Sequence, residues 1–137
     1  MNRNIMAAAT LATAAMGMAA SPTLAAQQNE SGEAELAKLL EGREAGTPVS
    51  CIPSTQIRQT HVIDKTALVY RVGNTLYVNR PSQADALDGD DILVTRQHTG
   101  QLCRPDSVEL RDRSTFFYDG FVVLQDFVPY RKVKTGN

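Results

Sequence analysis

Apolar and polar positions along this chain fall into three regimes. Residues 5–20 are almost continuously apolar and rich in alanine. In residues 33–43 the pattern becomes helical: Leu36, Leu39 and Leu40 stand at i, i+3 and i+4, one face of a short helix. Glu33 and Glu35 suit its positive end and Arg43 its negative end. Ser31 is placed to cap the start, and Gly42 or Gly46 to stop it. So short a helix is marginal alone. Its leucines must pack on a sheet face or a barrel mouth, unless the segment is a mobile presequence that docks elsewhere. After Cys51 the apolar runs shorten to strand length, with turn residues between them.

The clearest run is 68–72, then Gly73-Asn74, then 75–79. Two β-rich segments joined by Gly-Asn predict a two-residue hairpin, with Gly73 at positive φ. In that register Val72 faces Thr75, Arg71 Leu76, Tyr70 Tyr77 and Val69 Val78. Both faces are partly apolar, so one meets the core and the other is covered by the helix or another strand. Residues 82–87 read as a loose turn or short helix, and Asp88-Gly89-Asp90-Asp91 as a turn. Residues 92–95 predict a third strand, which 97–100 turn back toward Leu102 and Cys103. Residues 107–111 alternate, with Val108 and Leu110 on one face. Residues 121–124 read as a buried strand. Residues 127–130 read as a last strand that Pro129 confines to an edge, and 131–134 as a frayed basic tail. Short strands with turns between them predict a mainly β fold. The architecture is a small antiparallel barrel or sandwich with one short N-terminal helix, with α+β as the fallback.

The first regime is an address. Arg3 precedes the apolar run, and small residues follow it at Ser21, Ala25 and Ala26. This is the layout of a secretory signal peptide, cleaved after Ala25 or Ala26. The run is shorter than the roughly 20 residues of a membrane span. No cysteine at the junction offers a lipid anchor, and no twin arginine is present. The expected organisation is a signal peptide (1–25), a flexible leader and short helix (26–46), one β domain (47–130) and a basic tail (131–137). The mature chain is periplasmic or secreted and has no transmembrane segment. Its net charge, -1 for the full sequence, offers no basic field for nucleic acid.

Cys51 and Cys103 are the only cysteines. An oxidising compartment lets such a pair close on itself. A redox dithiol places its cysteines close together at a helix start, whereas these lie far apart on strand-like segments. They predict a structural disulfide, with Cα atoms about 4.4–6.8 Å apart. Closing so long a loop stabilises a small domain by roughly 4 kcal/mol.

The chain runs Cys51-Ile52-Pro53, Ile57, Val62-Ile63-Asp64 and Tyr77-Val78-Asn79-Arg80. It continues with Leu102-Cys103-Arg104-Pro105-Asp106-Ser107-Val108 and Leu124-Gln125-Asp126-Phe127-Val128-Pro129. In order and spacing these motifs resemble a family of small exported proteobacterial proteins catalogued as a domain of unknown function. The resemblance covers most of the mature chain, from Cys51 to Pro129, and implies export without implying an activity. Members carry a second cysteine pair, whose positions fall near Ala84 and Val122 here. If those two pair with each other, Cys51 and Cys103 are left as partners.

Candidate chemistry is sparse. His61 and His98 form no metal-spaced pair. Asp85, Asp88, Asp90 and Asp91 miss the EF-hand spacing and read as a solvated turn. There is no nucleophile elbow and no phosphate loop. Asp64 and Asp106 are placed to cap turns. No cofactor and no metal are expected. The aromatics Phe116, Phe117 and Tyr118, with Phe121 and Tyr130 nearby, are the candidate binding residues. Adjacent Phe116 and Phe117 do not both face inward on a regular strand. The reading is an exported, disulfide-stabilised β domain with a non-enzymatic binding or structural role, its partner an envelope protein or glycan. The alternative is a small periplasmic enzyme or metal-dependent protein using His61 or His98 with a nearby aspartate. A third reading is an envelope-surface binder that uses the 131–134 tail.

Overall fold

The computed structural model describes residues 24–136. The signal-peptide expectation therefore lies almost wholly outside the described residues. The chain forms α1 (Leu24–Leu39), β1 (Arg43–Ala45), β2 (Cys51–Pro53), β3 (Ile57–Ile63), β4 (Ala67–Val72) and β5 (Thr75–Asn79). It continues with β6 (Asp91–Thr95), β7 (Gln101–Cys103), β8 (Ser107–Asp112), β9 (Tyr118–Val123) and β10 (Phe127–Lys132). A short 3-10 turn, Ala84–Ala86, precedes β6. All pairings are antiparallel. They make three open sheets, ordered β1-β10-β5-β4-β3, β2-β7 and β6-β8-β9. The domain is mainly β and sandwich-like, and no closed barrel occurs among the described residues.

The five-stranded sheet is the middle layer, because β4 and β5 alternate apolar residues to both faces. Ala67, Val69, Leu76 and Val78 meet Leu36, Leu39 and Leu40 of α1 on one side. Leu68 and Tyr70 meet Ile52, Leu102, Val108, Leu110 and Phe127 on the other, where all three sheets contribute. The hairpin register is the predicted one, from Val69↔Val78 to Val72↔Thr75. Gly73 has φ 58 and Asn74 has a negative φ, the arrangement of a II′ turn.

The helix differs from expectation. It starts well before Glu33, so residues 27–32 are helical rather than a flexible leader, and Ser31 lies inside it rather than capping it. Gly32 allows this: a Cβ there would overlap Thr66 Oγ1 in the β3–β4 turn. The absent side chain lets the helix backbone approach that turn closely. The helix also ends before Arg43, which starts β1 and donates Nη1 to Asn74 O at 2.7 Å and to Tyr130 O at 3.3 Å.

That hidden strand corrects the reading of the C-terminus. β10 is not an edge, since it pairs with β5 and β1. Pro129 is tolerated because its missing N–H faces the place where β1 has just ended. Its carbonyl, on the same side, accepts Gly46 N–H at 2.7 Å. Arg131 and Lys132 are strand residues opposite Glu44 and Arg43, and Val133 N–H bonds Gly42 O. Residues 131–133 are held, not frayed. β6 also differs: it pairs with β8, while β7 pairs with β2.

Cys51 and Cys103 are disulfide-bonded and directly opposite on β2 and β7. Their Cα atoms are 4.0 Å apart, closer than expected. Arg104 N–H to Ser50 O and Ser54 N–H to Gly100 O flank them in the ladder. The cysteines thus occupy a non-hydrogen-bonded pair, the closer of the two pair classes. Among the described residues no helix is long and apolar enough to cross a membrane.

Candidate functional site

Two places on the molecule offer chemistry: the β8–β9 tip and a groove between two sheet edges.

The tip is built on Asp112. Its Oδ1 accepts Ser114 N–H at 2.9 Å, Thr115 N–H at 2.7 Å and Thr115 Oγ1–H at 2.8 Å. Phe116 N–H bonds Asp112 O at 2.8 Å, and Asp112 N–H bonds Phe117 O at 3.1 Å. The donors around Asp112, Thr115 N–H foremost, hold its carboxyl below the usual aspartate value. This cage turns the chain so that Phe116 sits at φ 61, a region a bulky residue rarely adopts. Phe116, Phe117, Tyr118 and Phe121 are 63%, 75%, 61% and 48% exposed.

A bulge at Asp119 shifts the register, so that Leu110 faces Gly120 and Arg111 faces Tyr118. Phe121 lies opposite Glu109, and the Arg111–Glu109 ion pair spans 2.5 Å. The aromatic patch therefore continues from the turn onto the outer face of β8 and β9. Residues 121–124 are not uniformly buried: Val122 faces Val108 in the core, which sends Phe121 outward.

The groove, about 1040 Å³, runs between β3 and β6. Thr60, His61 and Val62 form one wall and Leu93 and Thr95 the other, with Tyr70 and Leu102 below. At one end Asp64 accepts the Gly89 N–H through Oδ1. Asp91 Oδ2 accepts Asp88 N–H at 2.9 Å, and Asp88 Oδ1 accepts Asp90 N–H at 3.0 Å. Burial raises the Asp91 carboxyl above its ordinary value. Tyr70 is only 3% exposed, and its hydroxyl has no hydrogen-bond partner among the described residues. Its burial pushes that hydroxyl well above the ordinary tyrosine value.

Thus His61 and the turn aspartates share one groove, while His98 and Asp85 do not line it. Asp64, Asp88 and Asp91 are engaged by backbone N–H groups, and neither histidine bonds a carboxylate among the described residues. No group of three His, Cys, Asp or Glu side chains there could hold a metal. Asp106 Oδ2 accepts Cys103 N–H at 2.8 Å, capping the turn after the disulfide. Tyr130 packs beside the helix-side core, away from the other aromatics.

The motif residues behind the family resemblance meet at structural joints. Asn79, wholly buried, donates Nδ2–H to Gln125 O at 2.6 Å and accepts Gln125 N–H at 3.1 Å. Arg104 pairs with Asp126 at 3.2 Å, and Leu124 N–H bonds Asp106 O. The tip aromatics were named from the sequence; the Asp112 cage and the groove were not, for different reasons. Asp112-Arg113-Ser114-Thr115 carries a readable side-chain-capped turn signal, whereas nothing in sequence brings β3 beside β6. No family model matches the chain, and no curated protein or solved structure does either.

Proposed function

We infer that this chain is an exported, non-enzymatic binding domain that engages an envelope protein or glycan through its aromatic tip. One observation carries the reading. Four aromatic side chains stand in water on and beside a turn caged by hydrogen bonds, one of them in a backbone conformation that disfavours it. Contiguous exposed apolar surface on a soluble domain marks an interaction site. Local strain held by surrounding structure is a pointer to function. A caged turn also loses little conformational entropy on binding. Export is supported by the disulfide, which fits an extracytoplasmic protein, and by the signal-like first residues.

The test compares the wild type with Phe116→Ser/Phe117→Ser/Tyr118→Ser. Each is incubated with envelope extract and, separately, with purified peptidoglycan. The tip reading expects retention by one of these for the wild type, lost in the triple variant at an unchanged melting temperature. Equal retention of both proteins would sink it.

A further inference from the structure

The geometry points to a second binding site: the groove between β3 and β6 takes an extended, positively charged polypeptide segment as an added strand. This is independent of the aromatic tip. β3 ends the five-stranded sheet and β6 ends the three-stranded sheet, so both are edge strands. They border the same groove.

The direction of the free backbone groups follows from register. The Gly73–Asn74 turn closes on a hydrogen-bonded Val72–Thr75 pair. Hydrogen-bonded and open pairs then alternate along β4, so Arg71, Val69 and Ala67 bond toward β3. Their partners are Gln59, His61 and Ile63. The N–H and C=O groups of Thr60 and Val62 are therefore turned away from β4. On the other wall, Leu124 N–H bonds Asp106 O, and Val123 uses its N–H and C=O on Gln83 and Ser82. The same alternation makes Glu109 and Arg111 bond toward Val94 and Ile92. The N–H and C=O groups of Leu93 and Thr95 are thus turned outward. All four of these residues line the groove. Among the described residues, no other backbone group bonds these outer edges.

Unpaired edges recruit strands, and added strands gain affinity from main-chain hydrogen bonds. β3 and β6 run in opposite directions here: Asp64 meets Gly89 at one end, while Ser54 and Thr95 line the other. A single guest strand would be parallel to one wall and antiparallel to the other. The bulge at Arg58 limits its span on β3 to about five residues, or roughly 17 Å of strand. The Tyr70 hydroxyl beneath the groove supplies a polar group without a partner. Charge sets the guest's chemistry. Glu35, Asp64, Asp88, Asp90 and Asp91 line the groove, against Arg113 as its one arginine or lysine. Lysine or arginine side chains complement that wall.

The probe is a capped peptide of alternating lysine and valine, six residues long, titrated into the purified full chain and followed by amide NMR. Saturable binding is expected with Kd below about 1 mM. Thr60, Val62, Leu93 and Thr95 amides should shift and gain exchange protection. Methylating the backbone nitrogens of alternate peptide residues, in both registers, should weaken binding about tenfold or more in at least one register. Thr60→Pro should do the same, because proline is tolerated on an edge where the N–H faces outward. A glutamate–valine peptide should not bind. No saturation by about 1 mM, binding of both methylated peptides as tight as that of the unmethylated one, or equal binding of the acidic peptide would each overturn the proposal. If Thr60→Pro fails to fold, the methylated peptides decide alone.

Discussion

The two ends of this β domain solve opposite problems. Around the disulfide the polar groups pair: Asp106 caps Cys103, Asn79 closes on Gln125, and Arg104 pairs with Asp126. Around the β8–β9 turn the polar groups are equally well paired, through Asp112, but the apolar groups are left outside. At the first end, hydrogen bonds free side chains to pack. At the second, they hold side chains away from packing. The same chemistry of turn capping thus stabilises the fold in one region and presents a surface in the other.

The contrast breaks most visibly at the disulfide. Cys51→Ser/Cys103→Ser should lower unfolding free energy by roughly 2–5 kcal/mol, read from chemical denaturation against the oxidised wild type. The bond closes 52 residues of chain, and much of the sheet structure lies inside that loop. A change under about 1 kcal/mol would mean that the ladder around Ile52 and Leu102 holds without it.

Asn79 comes next. Asn79→Ala strips partners from both the N–H and the C=O of Gln125, at the joint of β5 and β10. The expected cost is about 2–3 kcal/mol, the scale of unsatisfied polar groups in a poorly hydrated site. Asn79→Asp should recover little, because a carboxylate does not donate to the Gln125 carbonyl. Equal stability of wild type and Asn79→Ala would show that water replaces the amide there.

What the sequence disclosed follows the same division. The hairpin was legible because Gly73-Asn74 is a local signal whose geometry leaves few choices. The disulfide was legible because two cysteines allow one pairing. Pro129 misled, because its edge-like position depends on β1, three residues hidden behind a helical pattern. The early start of the helix was not legible, because the close approach of Gly32 to Thr66, distant in sequence, is set by tertiary packing. At the tip, the rule that adjacent aromatics do not share a face already pointed outward. The cage around Asp112 was readable from its residues, but the positive φ of Phe116 was not. The groove lay furthest from view, since only tertiary packing sets one sheet edge beside another.

Phe116→Gly sharpens the comparison from the other side. A residue held at φ 61 carries strain of about 1 kcal/mol that glycine lacks. Glycine's freer unfolded chain offsets part of that gain. Stability should therefore stay level or rise by up to about 1 kcal/mol, while retention by the tip's partner falls. A large loss of stability would show that Phe116 is a packing residue despite its exposure.

Acidification gives the smallest effect, and its parts differ in sign. The Asp112 carboxyl sits below its ordinary 3.8, held there first by Thr115 N–H. Glu33 sits below 4.5, held first by its hydrogen bonds to Arg80. Groups with lowered values stabilise the fold when charged. Their contribution is complete above the unfolded value and fades as pH falls through the folded one. Asp91 is the reverse: burial raises it above 3.8, so the fold bears a penalty at neutral pH that is relieved as the group takes up a proton. Lowering the pH from 7 should therefore bring a small relief as Asp91 takes up a proton. Glu33 and Asp112 bring losses as the pH drops below their unfolded values. Asp91→Asn should abolish the relief and leave the losses. Amide protection factors localise the effect. Ser114 and Thr115 should lose protection below pH 3.8, while Ile52 and Leu102, in the β2–β7 ladder, keep theirs. Simultaneous loss at both ends would mean that the tip has no local cage and opens only when the whole domain unfolds.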